Sequence, residues 1–570
     1  MANENLKIVI KEVNETSPQG AGASSDIAYV PGLALDEITD ASGSKVKSSR
    51  NVPILCNSIS EFELHFGKTP YKFAANDVGD TVTYNKNKYK EGDYDPSYIY
   101  AKELINSGLS VYYENICVDS DAIDDRVEEI DAESASLDAA VEAVTTATTD
   151  VSEAETHLAD AIDLKNKAEG DAAIKAATEV VLAANTQLEV AKQSLADAEI
   201  ALKNTIAYFV DAYDITGVDT TDTDVVVFAI KNALTTEKTT LNETKTMSKI
   251  DYLYSVLSDR LSVLEDKDEY TVKYITTGGY PTFYNYVDHT QNTLADKLVD
   301  VAYNRGDAVA LVDHANDSTL PLDAFNPRSI YSAVNKHNWA HGTFGAMFTP
   351  YGKYSCMTIN DDLTTDAVES VQVLPASFGY LKCLASAIKN SPNWLAMAGV
   401  TRGQVPNLQE LMPKQLLSNI IAEDYQPKFG GNEANKISMN AITTIKPYGL
   451  TLWGNRTLEK VDPKGTNALN FLNTRNMISD IKKLAHQTAK SLMFEQDSDA
   501  LWLSFKTRVS PLLEQLKTGF GISDYQIVKA TTKYDGEPLT KGELAAVIRI
   551  FPLYAVEYFD ITVVISDSDN

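Results

Sequence analysis

From Asp119 to Ala207 the chain has no proline, Phe, Trp or Tyr, and its apolar residues recur every three or four positions. Val127, Ile130, Ser134, Leu137, Val141, Val144, Thr148, Val151, Glu155, Leu158 and Ile162 form one seam with three polar interruptions. Ile174, Ala177, Val181, Ala184, Leu188, Ala191, Leu195, Ala198, Leu202 and Phe209 form a second. This spacing marks helices that pack along heptads. Between the runs lies Lys167-Ala-Glu-Gly170-Asp171, where Gly can end one helix and Asp can cap the next. The pattern predicts an antiparallel coiled-coil hairpin of about 40 residues per helix, roughly 60 Å long. Seams rich in alanine bury little area, so stability in isolation is modest.

Charge follows the same division. Residues 119–270 hold 34 Asp/Glu against 12 Lys/Arg, most of the chain's net charge of −30, whereas residues 441–570 hold 15 of each. A split of this kind marks separate modules, an acidic one facing water and a neutral one suited to packing against protein. The acidic surface repels phosphate and argues against nucleic-acid partners. No apolar run approaches a membrane span, and the start, MANENLKIVIKEV, does not read as a signal peptide. Cys56, Cys117, Cys356 and Cys383 lack CxxC spacing and read as reduced packing residues of a protein made in a cytoplasm. With 570 residues, two to four domains are expected.

Asp219-Thr-Thr-Asp222-Thr-Asp224 lacks the Gly and distal Glu of an EF-hand loop and reads as capping residues before a helix at Val225. Further helices are expected over Val225–Leu234 and Ser248–Leu264. The rest has α/β texture. Strands are expected at Val52–Cys56, Leu109–Ile116, Tyr270–Thr276 and Ala308–Val312, with helices at Ser58–Phe66, Tyr98–Ser107 and Thr290–Asn304. The fold class is thus mixed α/β and α+β, multidomain, with an inserted helical hairpin.

Chemistry is sparse. His337 and His341 stand four apart without the Glu of a zinc-protease helix, and no phosphate loop, GxSxG elbow or dinucleotide fingerprint occurs. Neither an enzyme nor a cofactor is expected.

The C-terminal part carries a more specific pattern. It reads Lys446-Pro-Tyr-Gly-Leu-Thr-Leu-Trp453-Gly-Asn-Arg456-Thr-Leu458, then Asn473-Thr-Arg475-Asn476, Phe494-Glu-Gln-Asp497 up to Trp502, and Ile548-Arg-Ile-Phe-Pro552 through Glu557. Upstream stand Ser60-Glu-Phe62-Glu-Leu-His-Phe66-Gly67, Val371 to Pro375, and Gly399-Val-Thr-Arg402 to Leu408. This series resembles the tail sheath proteins of contractile bacteriophages and related contractile injection systems. Asn476 replaces the second Arg usual in that family, and Tyr554-Ala-Val-Glu557 its more frequent Pro-Ala-Glu. Residues 119–268 match nothing in the family pattern. The resemblance implies a structural subunit that polymerises with itself, six-fold, around a tail tube protein. It also implies baseplate and tail terminator partners, contraction that drives the tube through a host envelope, and a place in the virion after assembly in the host cytoplasm. It implies no cofactor, nucleic acid or direct membrane insertion.

Both ends alternate apolar and polar residues without a nearby hairpin partner. Leu6, Lys7, Ile8, Val9 and Ile10 precede a Ser/Gly/Ala linker, while Phe559, Ile561, Thr562, Val563, Val564 and Ile565 precede a polar tail. A lone strand needs a sheet edge, within its own subunit or on a neighbour. The resemblance implies the neighbour. Arg475, Lys482, Lys483 and Lys490 form the densest basic patch of the C-terminal module, either a tube contact, as the family's inward-facing domain implies, or a solvated helix face.

The expected layout is an N-terminal arm and linker (1–25) and an α/β sheath domain (26–118 plus 269–440). Into it is set the acidic, outward-facing insertion (119–268), either a projecting spacer or a solvated arm. A C-terminal sheath domain facing the tube (441–558) and a strand arm (559–570) follow. The rival readings are a coiled-coil fibre or surface protein and an α/β hydrolase.

Overall fold

The computed structural model describes residues 26–39, 44–77, 91–218, 222–282, 293–314, 331, 334–357, 359–360, 367–368, 371–412, 436–533 and 537–555. Two compact units emerge, Met1–Cys117 with Ser248–Asn570, and Val118–Met247.

The larger unit is built on an eight-stranded sheet. In chain order its strands are β1 (Ile27–Gly32), β2 (Ile54–Cys56), β3 (Ser110–Asn115), β4 (Tyr274–Ile275), β5 (Val309–Asp313), β6 (Gly345–Thr349), β7 (Asn440–Ile445) and β8 (Gly449–Trp453). Their spatial order is β8-β7-β6-β5-β4-β1-β3-β2. The six inner strands are parallel, and the edge strands β2 and β8 pair antiparallel. Parallel strands need covered faces, and here both are covered. Tyr29, Tyr112, Ala310, Val312 and Met347 point into one core, alternating along the strands with Val30, Val111, Tyr113, Leu311 and Phe348 in another.

Helices α1 (Ile59–Phe66) and α2 (Pro96–Ser107) contribute Phe62, Phe66, Tyr98 and Leu104 to the second core. Asp95 caps α2 and Gly108 ends it in the left-handed conformation, as its position after Ser107 foretells. Ser58 caps α1 by accepting from the Glu61 amide, and the Glu61 carboxylate in turn accepts from the Asn57 N–H at 2.7 Å.

In the smaller unit, α3 (Ser120–Lys167) and α4 (Asp171–Ala212) form a hairpin, with α5 (Thr223–Thr246) packed beside them. The buried seam of α3 differs from the expected one. It runs through Ile130, Leu137, Ala147, Ala154 and Ala161, while Thr148 and Glu155 face solvent and Ile162 is 43% exposed. Counting the branched apolar residues shifted the reading by one position beyond Val144, whereas from Leu137 through Val141, Val144, Ala147, Val151, Ala154, Leu158 and Ala161 the three-four spacing has no polar interruption. Asp222 caps α5 by accepting from the Val225 amide, the role expected for it. Lys231, Lys238 and Lys245, seven apart on α5, pair with Asp138, Asp131 and Asp124, seven apart on α3. Arg126 adds bonds to Glu237, Glu133 and Tyr213. These partly exposed pairs fix register more than they add stability.

Two expected boundaries move. Helix α6 (Lys249–Val263), assigned from sequence to the insertion, sends Ile250, Leu253, Leu257 and Leu261 into the core of the larger unit, so the smaller unit closes at Met247. Strands β7 and β8, placed from sequence in a separate C-terminal domain, complete the large sheet instead. The expected strand at Tyr270–Thr276 shortens to β4, and the helix near Thr290 is α7 (Thr293–Arg305). Helix α8 (Ala376–Ala387) covers the second face.

Candidate assembly surface

Beyond β8 the chain forms α9 (Leu472–Ser491), α10 (Asp499–Thr518), β9 (Ile522–Ala530) and β10 (Ala545–Pro552). Their third core gathers Trp394, Met477, Ile481, Phe505, Val509, Leu513, Leu516, Ile522 and Ile527. Strands β9 and β10 pair antiparallel from Ile522–Pro552 to Ala530–Ala545, and among the described residues this sheet has no other strand. Each strand therefore offers a row of backbone donors and acceptors on its outer side. A groove of about 440 Å³ runs between α10 and β9, lined by Lys506, Ser510, Glu514 and Lys517 from the helix and by Asp524 to Val528 from the strand. Within it Lys517 Nζ meets Asp524 Oδ1 at 2.9 Å, and the Tyr525 hydroxyl donates to Glu514 Oε1 at 2.9 Å.

Of the expected site residues, Leu6, Lys7, Ile8, Val9, Ile10, Phe559, Ile561, Thr562, Val563, Val564 and Ile565 lie outside the described residues. The basic patch is corrected by burial. Arg475 is fully buried, its guanidinium 4.0 Å from the Phe344 ring centroid. Lys483 is half-buried and donates to the Val272 carbonyl at 2.8 Å. Lys482 is half-buried beside Phe344, and exposed Lys490 pairs with Asp268 at 2.7 Å. A helix whose first three turns lie in the core cannot present Arg475 to a partner, so the four cations do not form one surface.

Those first turns of α9 serve the interior. Asn473 exchanges hydrogen bonds with Asn455 and donates to the Trp394 carbonyl, while Asn476 donates to the Tyr380 hydroxyl. Arg456 lies 4.4 Å over the Phe471 ring, and its amide donates to Asn440 Oδ1. Gly454 holds φ +152, and a Cβ there would come within 2.8 Å of the Asn440 backbone. The Trp453-Gly-Asn-Arg456 and Asn473-Thr-Arg475-Asn476 motifs thus stitch the end of the large sheet to α9.

The same helix carries a buried ion cluster. Lys273 lies between Asp26 at 2.7 Å and Asp480 at 2.9 Å, and Asn393 donates to both carboxylates. Burial disfavours the charged ammonium, but the two carboxylates outweigh it and hold its pKa above the usual lysine value. Lys273→Met strands two buried carboxylates, with an expected loss of about 3–5 kcal/mol in denaturant unfolding. Burial instead lowers Lys483 to about 8, with Asp307 and Asp480 opposing and Lys273 and Arg305 assisting. The unfolded chain therefore holds this proton through pH 8–10.5 while the folded chain releases it, so this group adds stability as pH rises across that window. Lys483→Met is expected to raise stability below pH 8, with the gain shrinking towards pH 10 in urea titrations.

His337 Nε2 meets Asp296 Oδ1 at 2.7 Å, and His341 stacks on Tyr303 with ring centroids 3.5 Å apart, structural ties to α7. Among the described residues no group of three His, Cys, Asp or Glu is placed to hold a metal, and no helix is long and apolar enough to cross a membrane. Cys56, Cys117 and Cys383 are buried free thiols, and Cys356 is half-buried.

Over 278 residues the chain is 20% identical to the tail sheath protein of Enterobacteria phage T4, covering 48% of this chain and 39% of that protein. Over 179 residues it is 22% identical to the tail sheath protein of Vibrio phage KVP40, covering 31% of this chain and 24% of that one. The chain is similar to phage tail sheath proteins. It spans about two fifths or less of the length of these sheath relatives. No family model matches. Among solved structures, a contracted sheath complex of an extracellular contractile injection system overlaps 99% of this chain and 98% of its own, at 12% identity and TM-score 0.43. An anti-feeding prophage baseplate chain overlaps 54% of this chain and 73% of its own, at 14% identity and TM-score 0.35. Overlaps this loose do not decide the fold.

Proposed function

We propose that the protein is the subunit of a contractile tail sheath, a non-enzymatic polymer that surrounds a tail tube and shortens to drive it through a host envelope. The similarity to two phage tail sheath proteins is the observation that carries this reading. The β9–β10 hairpin fits it, because a two-stranded sheet with open sides is a ready acceptor for strands from neighbouring copies. The segments around Ile8 and Val563 have the alternation such strands need. Exchanged strands would let neighbouring copies stay joined while they move as nearly rigid bodies.

On this reading the copies stack with six-fold symmetry, and a tube, a baseplate and a tail terminator are the partners. The acidic helical unit lies on the outside, where like charge discourages bundling. Lys482 remains as a tube contact from the basic patch, with Lys490 beside it once its exposed pair to Asp268 is exchanged. Electron microscopy of the purified chain tests the proposal. Hollow cylinders of uniform width are expected; discrete particles at all concentrations and salt conditions would refute it.

A further inference from the structure

Helix α4 carries more apolar surface than the hairpin uses. Its packed line runs through Ala184, Leu188, Leu202 and Phe209 and meets α3. About 110° around the helix, positions stepping by three and four from Ala173 to Tyr208 form a second heptad line. It holds four alanines, Val180, Val190 and Tyr208, and a single charge, Asp197, which accepts from Gln193 at 2.9 Å. Every residue of this line is exposed, Val180 at 52%, Val190 at 66% and Tyr208 at 61%, with Ile200 bare beside it. Helix α5 serves the other flank, where Ile206 and Val210 join the cluster of Val226, Ile230 and Leu234. A helix apolar along two lines belongs in a bundle, and among the described residues no further helix covers the second line.

Charge identifies the occupant. Residues 118–247 hold 28 Asp/Glu against 9 Lys/Arg, so most faces of this unit repel another copy of it. Between Ala173 and Tyr208, the second line and the row beside it that holds Ile200 carry only Glu179 and Asp197. The acids are thus left off the one face that is apolar. A basic partner helix would call for acidic flanks here, whereas a second copy calls for their absence. An antiparallel pair turning about a two-fold axis level with Lys192 sets Tyr208 over Ala176, Ala183 over Ala201 and Asp197 beside Gln187. Large then meets small and no like charges are opposed. A parallel pair instead sets Asp197 against Asp197 and Tyr208 against Tyr208.

We propose that α4 is a self-association surface, along which two copies of the chain pair antiparallel over Ala173–Tyr208 before they polymerise. The pairing rests on this face alone, and its consequence rests on the sheath reading. Copies stacked around a tube all point one way along it, and no two-fold axis relates them. A paired copy must separate before it joins a cylinder. Pairing therefore holds free subunits in reserve and raises the concentration at which cylinders grow.

Sedimentation of the full chain below that concentration is expected to show dimers. Val180→Glu with Val190→Glu places acids on a face that is already exposed, so the unfolding midpoint should stay where it is. The dimer dissociation constant is expected to rise at least tenfold, and cylinders to appear at a lower total concentration. After oxidation, Ala183→Cys with Ala201→Cys is expected to give covalent dimers and no larger species, while either cysteine alone leaves monomers on a denaturing gel. A monomeric unaltered chain, dimers indifferent to the two glutamates, covalent dimers from a single cysteine or a ladder of multimers would overturn the assignment. So would a glutamate variant that loses its cylinders together with its dimers. Dimers that behave as expected in a chain that forms no cylinders at any concentration would instead reject the sheath reading and leave the pairing in place.

Discussion

Removal of residues 559–570 is expected to yield a chain that folds normally and no longer assembles. The third core closes with Ile522, Ile527, Ile548 and Ile550, all ahead of the deletion, so thermal unfolding should keep its midpoint within about 2 °C. Assembly is another matter. A seven-residue strand added to a sheet edge makes several backbone hydrogen bonds, each contributing about 0.5–1.5 kcal/mol net. Losing about 3 kcal/mol per contact weakens each by more than a hundredfold, and a polymer needs every one of them. Sedimentation at matched concentrations reads the outcome, and normal cylinders from the truncated chain would count against strand exchange.

The second large effect concerns the helical unit. Replacing Val118–Met247 with a short Gly/Ser linker is expected to leave a soluble, cooperatively folding chain that still polymerises. Extending the deletion to Asp268 is expected to give insoluble protein. The extra residues include Leu253, Leu257, Leu261 and Leu264, each 0% exposed in the core of the larger unit. At about 1.5–3 kcal/mol for each buried leucine, their loss is comparable to the whole stability of a typical domain. Solubility and a urea melt separate the two deletions. Equal behaviour would show that α6 belongs with the insertion, and a hairpin-driven fibre would lose assembly in both.

How far the sequence could be read depended on which physical signal each element carries. The hairpin was legible because 3.6-residue periodicity in a stretch without proline has few other solutions. Its exact seam was not, because Ala147, Ala154 and Ala161 pack as well as valine yet look neutral. Gly108 and Asp222 announced their helix ends through local chemistry that needs no tertiary context. The boundary at Met247 was hidden, since α6 continues the run of amphipathic helices before it and only the burial of the Leu253–Leu264 stripe in the core of the larger unit reveals its allegiance. The basic patch failed for a related reason. Charge alone does not distinguish Lys273 and Arg475, sealed in the interior, from Lys490 in solvent. The groove between α10 and β9 left no sequence trace, since Lys506 and Val528 come together only when the strand folds back along the helix.

A density map of the assembled protein, detailed enough to trace the main chain, addresses strand exchange most directly. Extra strands should flank both β9 and β10, each traceable to a different neighbouring subunit through residues 11–25 or 553–558. Termini that fold back onto their own subunit, or bare hairpin edges inside an intact cylinder, would contradict it.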